Sequence, residues 1–153
     1  MKNVSRSLAL LLATTLAAAC GGEPPPDTAE SEAAAYPPAT ATVTIGSPAD
    51  GSAIMTADVT VTLTVEGIQI LPAGDTASGT GHHHLYLDAN LTALDTPVPT
   101  VPGSIIHMGD GSAEYTFEGV APGEHRLIAV VADGIHVPLD PPVVDTVMFT
   151  VSN

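Results

Sequence analysis

Residues 58–66 read DVTVTLTVE, with Val59, Val61, Leu63 and Val65 alternating with threonines and the closing glutamate. A period of two places the apolar set on one face of a strand and the hydroxyls on the other, the pattern of a sheet with one dry side. Similar segments recur. ATVTIGSP, HHHLYLD, SAEYTFEGV, EHRLIAVVADG and VDTVMFTVSN are short, rich in Val, Thr and Ile or clearly alternating, and bounded by Gly, Pro or Asp. Between them, SPADGS, LPAGD, GDGS and APGE carry the residues that turns require. In EHRLIAVVAD, His125, Leu127, Ala129 and Val131 fall on one face, and Arg126, Ile128 and Val130 on the other. Six or seven strands over roughly 110 residues, with no helical periodicity, predict an all-β fold: a single immunoglobulin-like antiparallel β-sandwich. Residues 89–103, ANLTALDTPVPTVPG, contain three prolines and are expected to be a loop covering one end of the sandwich, not a central strand.

The N-terminus follows a different logic. Lys2 and Arg6 precede an apolar run over residues 8–16, and Ala17, Ala18 and Ala19 lead to Cys20. Basic, apolar and small residues in that order read as a secretory signal, too short to cross a membrane comfortably. The single cysteine directly after the small residues resembles the lipobox of bacterial lipoproteins, in which the cysteine is lipidated and becomes the mature N-terminus. Here Ala17 stands where leucine is usual, with Leu16 one place earlier; an ordinary secretory signal is the alternative. The expectation is a signal peptide over 1–19, lipidation at Cys20, and an exported protein held by its lipid at the periplasmic face or outer membrane. An acylated Cys20 leaves no disulfide. Residues 20–40 are acidic, rich in Pro and Ala and poor in large apolar side chains, so they are expected to be a flexible linker. The folded domain is then 41–153.

Charge excludes whole classes of partner. The net charge is −14, and the only bases are Lys2, Arg6 and Arg126. Without the signal, Arg126 is the single strong base. Nucleic-acid binding depends on neutralising phosphates, which this chain cannot do, and no basic patch is available for anionic headgroups. The remaining consequences are solubility in salty surroundings and attraction of cations.

Catalytic patterns are missing. The sequence has no Gly-x-Ser-x-Gly elbow, no Walker-type loop, no GxGxxG and no EF-hand spacing. With Cys20 taken up by the anchor, nucleophilic hydrolysis has no nucleophile. A metal-dependent hydrolase would need an open coordination position beside a base such as Glu124. The sequence therefore reads as non-enzymatic.

The histidines carry the chemistry. Six are present, three of them consecutive in SGTGHHHLYLD. Residues two apart on a strand share a side, roughly 6.5–7 Å apart, so His82 and His84 form a half-site for zinc or copper while His83 points away. A metal site needs further ligands. His107 and His136 are the candidates, with Asp88, Asp133 and Asp140 as additional oxygen donors. Met108 would bring a thioether and favour Cu(I), although lone methionines usually fill cores. Asp133 before Gly134 reads as a turn former, and His125 as a structural residue at a strand corner. Two readings stay open: a copper- or zinc-binding module built on His82, His84, His107 and His136, or a metal-free structural or protein-interaction module of the cell envelope in which the histidines brace loops.

Two local stretches, VTIGSPADGSAI and FEGVAPGEHRLIAVVADG, resemble parts of bacterial immunoglobulin-like modules. More specifically, PAG…TGHHHLYLD, IHMGDGSAEYTF, PGEHRL and HVPLDPPVV, in this order over roughly residues 44–151, resemble the successive motifs of a bacterial family, domain of unknown function 4399. That resemblance implies a secreted or lipid-anchored single domain and supplies no chemistry. The chain departs from the family pattern at Ile105, where a histidine often stands two places before His107, and at Leu139, where a second histidine often follows the HVP element. A site built from all of those histidines would be reduced here.

Overall fold

A computed structural model of the chain describes residues 41–152. The expected signal peptide, Cys20 and the linker over 20–40 lie outside the described residues. The described residues form nine strands and no helix. β1 (Thr42–Ser47), β3 (Val59–Glu66) and β7 (Glu114–Phe117) make a three-stranded antiparallel sheet in the order β1-β3-β7. The second sheet runs β2 (Ser52–Ile54), β9 (Val144–Val151), β8 (Gly123–Ala132), β5 (Thr80–Leu87) and β4 (Gln69–Ile70), and β6 (Ile105–Met108) also pairs with β5. This is the all-β sandwich the alternation predicts. It departs from a purely antiparallel arrangement in two places: β2 lies parallel to β9, and β4 parallel to β5.

Alternation accounts for the core. Val59, Val61 and Leu63 face inward from β3 against Leu85 and Leu87 of β5, Leu127, Ala129 and Val131 of β8, and Phe149 and Val151 of β9. The two faces of β8 divide as its sequence indicates, but from Leu127 to Ala132 neither is wet. Ile128 and Val130, on the outer face, are buried with Tyr86, Val98 and Ile105 in a second apolar cluster.

Residues 89–103 are responsible, and here the expectation is corrected. The segment is a loop, but it lies over the outer face of the larger sheet instead of capping an end. Val98 is buried against that face, its amide donates to the His136 carbonyl at 2.9 Å, and Val101 bridges to Ile105. The physical reason is that Tyr86, Ile128 and Val130 leave an apolar outer face that must be covered by another layer. All of β5 is consequently buried.

Candidate metal centre

Strand register assembles most of the site. His84 lies opposite His107 of β6 on one side and Val130 of β8 on the other, and His82 lies opposite Ala132. Paired residues of neighbouring strands project to the same face, so His82, His84 and His107 share the outer face. His83 pairs with Met108 and Val131, which belong to the inner core. Period two thus separates the triple histidine as its spacing predicts.

His136 reaches the same place from a turn. The Asp133 carboxylate accepts the amides of Ile135 at 3.0 Å and Val137 at 2.9 Å, and the His136 amide donates to the Asp133 carbonyl at 2.9 Å. This holds His136 at a φ of 73°, a left-handed conformation uncommon outside glycine. Asp133 is the turn former its sequence context indicates.

The four rings converge. The Nε2 atoms of His82 and His84 are 3.0 Å apart, and those of His107 and His136 are 3.2 Å apart. Ring centroids of His82 lie 5.0 Å from both His107 and His136, and those of His84 lie 5.2 and 5.7 Å from the same two. One ligand nitrogen from each of His82, His107 and His136 falls within 4.8 Å of the others. Tetrahedral Zn–N bonds of about 2.0–2.1 Å imply ligand–ligand edges of roughly 3.3–3.4 Å, a spacing the two Nε2 pairs approach, whereas the trio as a whole spreads to 4.8 Å and His84 stands beside it, outside the trio.

Burial, with the neighbouring rings, keeps the deepest histidines neutral. Burial pushes His82 down to about 4; the nearby His107 and His136 rings add to the shift, against an opposing pull from Asp133. Burial, followed by the His82, His107 and His136 rings, pushes His84 down to about 3. His107 is lowered by burial and by His136, partly offset by Asp110. Neutral imidazole is the form that ligates metal. The Nδ1 atoms of His82 and His84 are buried without a hydrogen-bond partner among the described residues.

The residues that could hold an ion offer imidazole nitrogens. Met108 turns into the core, which removes the thioether option and with it the specific argument for Cu(I). Asp88 sits at the far end of β5 from His82, hydrogen-bonded to His125, and Asp140 lines a separate groove with Leu94 and Val137. Neither joins the rings. Glu124 pairs with Thr150 at the start of β8, whereas His84 and His82 lie opposite Val130 and Ala132. Six to eight strand positions of ~3.4 Å each separate it from the site by roughly 20–27 Å. It cannot serve as a base there, so the hydrolase alternative loses the residue it named.

Sequence reasoning passed over Gly109. A Cβ at this position would lie 2.3 Å from Cε1 and 2.6 Å from Nε2 of His107. The available signal was a glycine two places after a candidate ligand.

No curated protein matches the chain. A crystal structure described as an engineered protein aligns at 17% identity and a TM-score of 0.44, over 76% of this chain and 21% of that one, so the chain spans about a fifth of its length. Residues 61–152, more than half of the chain and including all four converging histidines, match the model of the family described as Domain of unknown function (DUF4399), and the chain belongs to that family.

Proposed function

We propose that this domain binds a first-row transition metal ion, copper or zinc, through His82, His84, His107 and His136, as an exported module anchored by lipid at Cys20. The observation that carries the reading is the convergence of the four rings, with Nε2 pairs at 3.0 and 3.2 Å on two strands and a turn. Nitrogen donors suit zinc and copper. The strong acidity of the chain raises the local concentration of cations. Binding is favoured over catalysis because His84, its Nε2 3.0 Å from that of His82, stands next to the His82, His107 and His136 trio, where a fourth imidazole would close a tetrahedral shell and leave no open position for a substrate or water.

The test is isothermal titration of the full chain, free of any polyhistidine tag, with Cu²⁺ and Zn²⁺ at neutral pH and moderate salt. The expected result is one ion per chain at micromolar or tighter affinity, lost in the His82→Ala/His84→Ala variant while the fold persists. Weak binding that fades with salt would mean diffuse attraction to carboxylates and would overturn the reading.

The second reading is a metal-free brace serving envelope protein contacts. It draws on the His136 carbonyl, which holds the covering loop through Val98, and on the Nε2 pairs, which are also at hydrogen-bonding distance. Under this reading the double variant loses stability and metal leaves the melting temperature unchanged.

A further inference from the structure

The three segments that carry the histidines share one neighbour. The short loop that follows β4 donates the Leu71 amide to the Gly81 carbonyl at 2.9 Å, the Ala73 amide to Gly109 at 3.0 Å and the Gly74 amide to Gly134 at 3.0 Å. Gly81 directly precedes His82, Gly109 lies two residues after His107, and Gly134 lies two before His136. The loop is itself fixed. The Asp75 amide reaches the Pro72 carbonyl at 3.3 Å, and the Asp75 carboxylate accepts the Ala77 amide at 2.9 Å.

None of the three glycines has room for a side chain, and a Cβ at Gly81 would fall 2.8 Å from the Ala132 carbonyl oxygen. A Cβ at Gly134 would fall 2.0 Å from the Asp75 carbonyl oxygen, so the loop and the His136 turn meet backbone to backbone. At Gly109 the obstruction is different in kind, because the three nearest atoms all belong to the His107 imidazole. No left-handed backbone is required there, so the missing side chain answers to the ring and not to the chain's path.

We infer that Gly109 and the loop over residues 71–75 are positioning elements of the histidine site: the loop sets the spacing of the three ligand-bearing segments, and Gly109 vacates the space in which the His107 ring turns toward His136. This rests on the metal-binding reading for its purpose, but its geometry can be tested without metal. A positioning partner of this kind typically changes metal affinity by about 10–100-fold.

The test is Gly109→Ala in the full chain, with two readouts. In zinc-free protein, the ring-to-ring nuclear Overhauser contact between His107 and His136 should disappear. In titration, Zn²⁺ affinity should fall about 10–100-fold. In a His107→Ala background the same substitution should change neither stability nor affinity, since the ring it displaces is gone. Should Gly109→Ala fail to fold, the His107→Ala/Gly109→Ala pair should fold as His107→Ala alone does. An unchanged ring contact, or a full effect of Gly109→Ala without His107, overturns the inference. If the wild type binds no Zn²⁺, the metal reading falls and the ring contact alone decides this one.

Discussion

His125 Nδ1 lies 2.7 Å from Oδ2 of Asp88, and the opposite ring nitrogen lies 2.8 Å from the Ala121 carbonyl. Both neighbours are acceptors, so both hydrogen bonds form together only when the ring is an imidazolium. The bond from residue 125 back to residue 121 has the form of the corner contact that immunoglobulin sandwiches make with a tyrosine. Burial pulls the His125 pKa down, but the bonds to Asp88 and Ala121 outweigh it and the net shift is upward. The other Asp88 oxygen accepts the Arg126 amide at 2.9 Å, which ties the end of β5 to the start of β8.

A raised pKa contributes stability that is fully present below the unfolded value of 6.5 and is lost as pH rises through the folded value. Asp88→Asn should bring the His125 titration, followed by proton NMR, down toward 6.5. Because Asp88 is half exposed, the loss of stability at pH 6 should be modest, about 0.5–1 kcal/mol. An unmoved titration would show that Asp88 does not hold the proton.

The triple histidine works in the opposite direction. Burial pushes His83, like His82, down to about 4. Between 6.5 and about 4 the unfolded chain takes up protons that the folded chain refuses, so stability falls as pH drops through that window, with a slope approaching ~1.4 kcal/mol per pH unit for each such group. His83→Leu removes one of these groups, together with a buried Nδ1 that has no partner. Its unfolding free energy at pH 7 should match or exceed that of the wild type, and its acid slope should be shallower by up to ~1.4 kcal/mol per pH unit. A parallel acid profile would show that His83 takes up its proton in the folded state.

The covering loop can be tested at Val98. Val98→Ala removes two buried methyl groups from the cluster with Tyr86 and Val130 and should cost about 1–2 kcal/mol in denaturant unfolding. The Val98 amide, bonded to the His136 carbonyl, should exchange faster in the variant. A loop lying free of the sheet would give less than about 0.5 kcal/mol, as surface substitutions do.

What the sequence conveyed, and what it could not, follows from the range of the interactions. The β-sandwich was legible because alternation in residues such as 58–66 is a local signal. His82 and His84 were legible as a pair for the same reason. Bringing His107 to them depends on the pairing of β6 with β5, and bringing His136 depends on the turn closed by Asp133; neither pairing is written in local spacing. Met108 illustrates the limit: strand parity places it opposite His107, but which side is the core is set by the partner strands. Residues 89–103 were misplaced because their prolines indicate a loop correctly and say nothing about where it lies. Gly109 was missed because a glycine that yields space to a ring looks the same in sequence as one that makes a turn.

Among the described residues β7 pairs only with β3, so the three-stranded sheet ends in an open row of backbone donors and acceptors. Such edges invite a strand from a second molecule, and natural sheets guard them by keeping them short and charged. β7 is four residues long, with Glu114 exposed at its start and Glu118 exposed just past its end. Two copies meeting at this edge would bring like charges together on chains that are already strongly anionic. The same surplus of carboxylates that draws cations toward the domain thus also protects it from self-association into extended β-structure, a protection that weakens as salt screens the repulsion.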